Sequence, residues 1–414
     1  MTWSYPLGLF QGHGIELEYM IVDAETLDVL PIADRLLERV GAVGGDAAPE
    51  GSAGRIGWSN ELALHLLEFK SLEPEPQLEP LAAHFQRHVR RANAELAPLG
   101  GRLLPGGMHP WMNPEREMRL WPHDNAEIYA AFDRIFSCRG HGWANLQSAH
   151  LNLSFANDEE FGRLHAAVRL ILPALPALAA SSPLQEGHLT GCADTRLETY
   201  RHNARRLPIV SGRIIPEPVF TRAEYEGELL GSIYRAVAPL DPDGLLQEEW
   251  LNARGAIARF DRGAIEIRVL DVQEHPLADL AICALTTAAV RALAEGRWMP
   301  SARQRDFAVE PLAAAFLATV AQAEEAVFSD ASWLRAFGLP PIPLRAADFW
   351  QRMAEELLPA ASPFLPSLQV LQRHGSLSTR LRRACGKAPA PERLRDIYQS
   401  MAICLQQGTP FLDA

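Results

Sequence analysis

The chain of 414 residues is 48% apolar and 22% charged, enough to bury one large core or two modest ones, which sets aside a disordered chain. Its formal charge of -12 argues against a general binder of nucleic acid or of anionic membrane surfaces, because both select basic partners. An anionic substrate would need local help from metal ions or clustered arginines.

The first residues, 1–6, have neither a basic start nor a long apolar stretch, so no secretory signal is read and a cytoplasmic location is expected. Residues 14–23, GIELEYMIVD, alternate in the manner of a strand and place Glu16 and Glu18 on one face, where neighbouring carboxylates want a cation. The bland alternative is an edge strand with a solvated face. A helix near 32–40, a small-residue loop over 41–54 and a second apolar stretch over 61–70 follow. Glu61 and Glu68 flank that stretch. Seven apart, they point to opposite faces of an unbroken strand, so both serve one site only if Glu61 lies in the entering loop or a bulge intervenes. A helix would instead bring them together two turns apart. Pro74, Pro76 and Pro80 mark a connector, and amphipathic helices over 81–96 and 125–137 flank a loop over 105–111.

The run 148–155, SAHLNLSF, puts His150 and Asn152 on one strand face, although a lone histidine there is more often a satisfied core residue. Asn157 and Asp158 can cap the next helix. The apolar windows 170–180, broken by Pro173 and Pro176, and 277–290 fall short of the roughly 18 to 20 residues a bilayer demands and read as buried helices. The segment 190–206 gathers Arg196, Arg201, Arg205 and Arg206 around Tyr200 and should draw anions; a solvated helix face, with Arg201 and Arg205 at i,i+4, is the alternative. In the strand 263–271, Glu266 and Arg268 share a face. Arg268 there either clamps a transferring phosphoryl group or simply pairs with Glu266. A long helix is expected from Pro276 to 295, and from 299 onward the pattern is nearly all helical, with breaks at 340–343, 363–366 and 386–391.

These elements predict an α+β fold with a mainly antiparallel sheet, divided into a catalytic body over 1–298 and a helical covering region over 299–414. The five cysteines, Cys138, Cys192, Cys283, Cys385 and Cys404, are odd in number and lack any C-x-x-C, so they read as reduced thiols. Five carboxylates with one imidazole suit magnesium or manganese better than zinc, and without metal they should repel one another and titrate high. There is no P-loop, since Gly386-Lys387 precedes alanine, and no H-E-x-x-H or G-x-S-x-G.

Taken in order, 14–19, 61–71, 148–155, the segment 179–187 with Thr190-Gly191 and Arg196, and 263–273 resemble five motifs of the glutamate-cysteine ligase family of carboxylate-amine ligases. The resemblance implies a curved, mainly antiparallel sheet of the glutamine-synthetase-like type with helices on its outer face. It further implies that Glu16, Glu18, Glu61, Glu68, His150 and Glu266 hold two or three Mg2+ (or Mn2+) ions around ATP as co-substrate. Arg268 would stabilise the moving phosphoryl group, with Glu266 beside it, and Arg196 would bind the carboxylate substrate, with Asn152, Tyr200 and Arg201 as further binding candidates. The implied partners are small amino-acid substrates and ATP, with no nucleic acid and no membrane; the assembly state is open, a homodimer included. Cys192, Thr195 and Leu151 depart from what is expected of bacterial relatives and leave the amine acceptor undetermined. A degenerate binding partner of another enzyme and a guanidino kinase on the same fold are the competing readings.

Overall fold

The computed structural model describes residues 5–42 and 55–412; the loop expected over 41–54 falls almost wholly outside them, as do residues 1–4. Seven strands form the main sheet: β1 (His13–Asp23), β2 (Ile56–Asn60), β3 (Leu66–Ser71), β4 (Gly101–Leu104), β5 (Ser148–Ser154), β6 (Ala256–Arg259) and β7 (Ala264–Asp271). Their order is β2-β3-β1-β5-β7-β6, with β4 on the C-terminal half of β1, and every ladder is antiparallel. The three strands expected to carry ligands, β1, β5 and β7, are therefore neighbours.

Alternation fixes the faces. Ile15, Leu17, Tyr19 and Ile21 of β1 are fully buried among the core residues, while Glu16 and Glu18 point to the other side. The apolar side is covered by α2 (Glu79–Leu96), α5 (Asp158–Ile171) and α7 (Pro276–Ala294), following a short α1 (Ala33–Arg39), and α7 packs against both α2 and α5. The Asn157 side chain accepts from the Glu160 amide at the start of α5, a cap worth about 1 kcal/mol. Helix α7 is long and apolar enough to cross a membrane on composition alone, yet 83% of its apolar window is buried inside the fold, so it is the core helix that 277–290 announced.

Two short helices, α3 (Ala126–Phe136) and α4 (His141–Ala144), and later α6 (Thr195–Tyr200) border the polar face. The C-terminal part adds α8 (Val309–Gln322), α9 (Ala331–Ala336), α10 (Ala346–Leu357), α11 (Leu365–His374), α12 (Leu377–Cys385) and α13 (Pro391–Gln407). The run of helices is interrupted where Val327–Phe328 pairs with Leu344–Arg345 as a small antiparallel ribbon, which the sequence pattern did not announce. Arg380 of α12 is buried on Glu274, just beyond β7, with Nη1 2.6 Å from Oε1 and also 2.6 Å from the Phe411 carbonyl. Removing one partner of so buried a pair costs about 3–5 kcal/mol.

One irregularity shapes the site. Between Ala149↔Leu270 and Leu151↔Ile267, β7 carries an extra residue relative to β5. Glu266 and Asp271 are five apart and would face opposite ways in a regular strand; the bulge lets both oppose residues of one β5 face, Asn152 and Ser148.

Candidate active site

The polar face of the sheet is a row of interlocked side chains. Opposite one another across the ladders stand Ser59 and Glu68, Glu68 and Glu18, Glu16 and His150, and Asn152 and Glu266. His150 Nδ1 is 2.8 Å from Glu16 Oε2, and its Nε2 is 2.9 Å from the Ser148 hydroxyl. Glu18 accepts from the Ser148 amide at 2.6 Å and from its hydroxyl at 2.9 Å. Asn152 Nδ2 donates to Glu16 at 3.2 Å. Glu68 accepts from Ser59 at 2.7 Å and lies 3.0 Å from Lys70 Nζ. Glu266 is 2.8 Å from Arg268 Nε and 3.2 Å from Arg259 Nη1, so the simple ion pair foreseen for Arg268 does form, and Arg268 still lines the cleft.

Glu61 sits in the hairpin connection between β2 and β3, the arrangement under which it and Glu68 can share a site despite their spacing of seven. The stretch 61–70 is thus a turn followed by a strand. Two sets of ligand atoms gather within 4.8 Å of one another: Glu16, Glu68 and His150, and Glu18, Glu61 and Glu68. Such an oxygen-rich set fits a hard divalent cation, with Glu266 adjoining through His150 at 3.8 Å.

The electrostatics are those of crowded, buried carboxylates gathered around one imidazole. Burial, then the charges of Glu68 and Glu18, push Glu61 well above the usual carboxyl range. Burial also raises Glu68, against Lys70 and with Glu16. Glu16 goes the other way: burial opposes its ionisation, but the hydrogen bond and charge of His150 outweigh it and hold the carboxyl far below its ordinary value. His150, which burial alone would depress, is lifted to about 9 by Glu16, Glu18 and Glu266.

Over this row lies a cleft of two lobes. One, about 490 Å³, is lined by the carboxylates together with Lys70, Arg259 and Arg262. The other, about 320 Å³, is walled by Tyr129, Phe132, Trp143, Trp250 and Tyr200, with Arg196 and Arg268 on its floor. Arg196 is 2% exposed; its Nε is bonded to Asp271 and its Nη2 donates to the Arg268 carbonyl at 3.3 Å. Asp271 is in turn held by the Ser181 amide at 2.9 Å and the Ser182 hydroxyl at 2.7 Å. A Cβ at Gly107 would stand 2.5 Å from the Asp271 carboxyl, so that loop position requires glycine. Arg201 is not brought in: α6 ends at Tyr200, and Arg201 turns back to grip Glu198 with two 2.8 Å bonds. For the same reason Arg201 and Arg205 share no helix face.

The sequence reading singled out Tyr200 but not Ser59, Lys70, Arg259, Arg262, Asp271 or the rest of the aromatic wall. Lys70 was accessible from the period of β3, two after Glu68. The aromatic residues come from α3, α4 and the loop at Trp250, where no local pattern marks a cleft.

The model of the family described as glutamate-cysteine ligase family 2 (GCS2) matches residues 13–323, the stretch that contains every one of these side chains. The chain belongs to this family. An uncharacterized protein of Archaeoglobus fulgidus is 36% identical over 279 residues, covering 67% of this chain and 74% of its own length. A protein of Rubrobacter xylanophilus, provisionally named glutamate–cysteine ligase 2-1, is 26% identical over 302 residues, covering 72% of this chain and 71% of its own length. Among solved structures, glutamate–cysteine ligase of Francisella tularensis in complex with AMP aligns with a TM-score of 0.58 at 12% identity, over 98% of this chain and 90% of that one. A bifunctional glutathione synthetase of Pasteurella multocida aligns with a TM-score of 0.52 at 13% identity over 95% of this chain, which spans only 52% of that protein. Both support a shared architecture of helices on an antiparallel sheet.

Proposed function

We propose that this GCS2 protein is an ATP-dependent carboxylate-amine ligase that forms a γ-glutamyl-type amide. The observation that carries the reading is the convergence of Glu16, Glu18, Glu61, Glu68 and His150 beside Arg268, at the junction of an ion-rich lobe and a second lobe floored by arginines.

The six residues Glu16, Glu18, Glu61, Glu68, His150 and Glu266 would hold Mg2+ or Mn2+; the metal, when bound, neutralises phosphate charge that these carboxylates would otherwise repel. Lys70, Arg259 and Arg262 rim the same lobe and add positive charge for the nucleotide. In the first step a substrate carboxylate oxygen bonds the γ-phosphorus of ATP as the bond to the β,γ-bridging oxygen breaks, releasing ADP and leaving an acyl phosphate. Arg268, anchored by Glu266, meets the moving phosphoryl group. In the second step the amine attacks the carbonyl carbon, the carbon–oxygen bond to phosphate breaks, and the nitrogen gives up its proton as phosphate departs. Arg196, fixed by Asp271, orients the carboxylate substrate, and Tyr200 completes that wall. Asn152 steadies Glu16, and Arg201 has no part in the reading.

The test is incubation with ATP, Mg2+, glutamate and a panel of amines. ADP and phosphate should appear in equal amounts with an amide whose mass is the sum of both substrates less water. ADP release with a phosphorylated guanidine and no amide would contradict the reading.

A further inference from the structure

Resting on the ligase reading, we propose that the acceptor amine carries an aromatic or similarly bulky apolar group, seated in the lobe walled by Phe132, Trp143 and Trp250. The short thiol side chain of cysteine is a poor match for this lobe. Phe132 packs on Trp143 with ring centroids 5.4 Å apart and on Trp250 at 5.6 Å, so the three rings form one continuous apolar surface. Both tryptophans remain partly exposed, and the exposure faces the lobe. Leu62, Leu66 and Leu146 extend the surface. A volume of about 320 Å³, at the lower end of sites that enclose a drug-sized molecule, holds the glutamate beside Arg196 together with the amine.

The division of charge assigns this lobe to the carbon substrates. Lys70, Arg259 and Arg262, which a triphosphate needs, line only the other lobe, whereas Arg196 and Trp143 line only this one, and Phe132 and Trp250 stand between the two. Aromatic rings prefer tilted or edge contacts with other rings, and the walls, tilted 55° and 38° to one another, offer such faces to a ring between them.

The full-length protein with Mg2+, ATP and glutamate should be assayed against phenylalanine, tryptophan, phenethylamine, cysteine, alanine and glycine, with the amide measured by mass. The aromatic amines should exceed alanine and cysteine in kcat/KM by about 30-fold, within the span that apolar pockets achieve. Trp143→Ala should erase that preference by raising KM for the aromatic amine while leaving KM for ATP unchanged. Leu146→Trp, which narrows the lobe, should lower kcat/KM for the aromatic amines by a larger factor than for alanine or glycine. Cysteine or alanine turned over as well as phenylalanine would overturn the proposal and leave the ligase reading intact, as would a Trp143→Ala variant impaired only in ATP binding. An absence of ADP and amide with every amine would overturn the ligase reading, and this inference with it.

Discussion

Replacing Glu61 with glutamine should stabilise the metal-free protein, the reverse of what loss of a buried site residue ordinarily does. Among the described residues the side chain makes no hydrogen bond or ion pair, and its ligand oxygen lies within 4.8 Å of those of Glu18 and Glu68. A pair of like charges at that separation repels by ~3.5 kcal/mol at an effective dielectric of 20. Because Glu61 is only partly buried, screening trims the gain to about 1–3 kcal/mol. The effect has a defined pH dependence. Burial and its acidic neighbours raise the Glu61 carboxyl in the folded state, so its contribution to stability is intact below the ordinary value of 4.5 and is lost as pH climbs through the raised value. Glutamine is spared that loss, and the difference between the proteins should widen from pH 6 to pH 9. At about 2.1 cal/mol/K of unfolding entropy per residue, 414 residues convert each kcal/mol to roughly 1 °C, so differential scanning fluorimetry without metal should place the variant 1–3 °C above wild type at pH 9. Excess Mg2+ should invert the order, since a ligand at 100 times its Kd adds about 2.7 kcal/mol to the protein that binds it well. A variant less stable than wild type at pH 9 without metal, or one with an undiminished Mg2+ shift, would refute the reasoning.

Other perturbations separate chemistry from scaffolding. Arg268→Ala should lower kcat by about 10²–10³-fold with little change in KM for ATP, read by steady-state ADP release. Asp271→Ala strands the buried Arg196 guanidinium and should cost about 3–5 kcal/mol in urea unfolding, whereas Arg201→Ala, at a half-exposed pair with Glu198, should change stability and kcat/KM little. Glu274→Ala should cost a similar 3–5 kcal/mol and expose the C-terminal helices to limited proteolysis, because Arg380 bridges Glu274 and the Phe411 carbonyl.

Much of this site was legible because strand period is a strict rule. Glu16 with Glu18, His150 with Asn152, and Glu266 with Arg268 each share a face by spacing alone, and the structure sets those three strands side by side. Helices were legible where amphipathic pattern and punctuation agreed, as at Glu79–Leu96 and Pro276–Ala294. Register irregularities were not. The extra residue in β7 that turns Asp271 toward Ser148 and Arg196 depends on cross-strand pairing, which one strand's sequence does not encode. The choice between loop and bulge for Glu61 was settled only by the turn between β2 and β3. The reach of Arg201 depended on where α6 stops, and the aromatic lobe on residues more than a hundred positions apart, Trp143 and Trp250.

The most direct measurement is anomalous diffraction from a crystal soaked with Mn2+ and a non-hydrolysable ATP analogue. The account predicts manganese peaks among the side-chain oxygens and nitrogen of Glu16, Glu18, Glu61, Glu68, His150 and Glu266, with the terminal phosphate against Arg268. Manganese bound elsewhere, or a triphosphate lying away from this row of carboxylates, would contradict it.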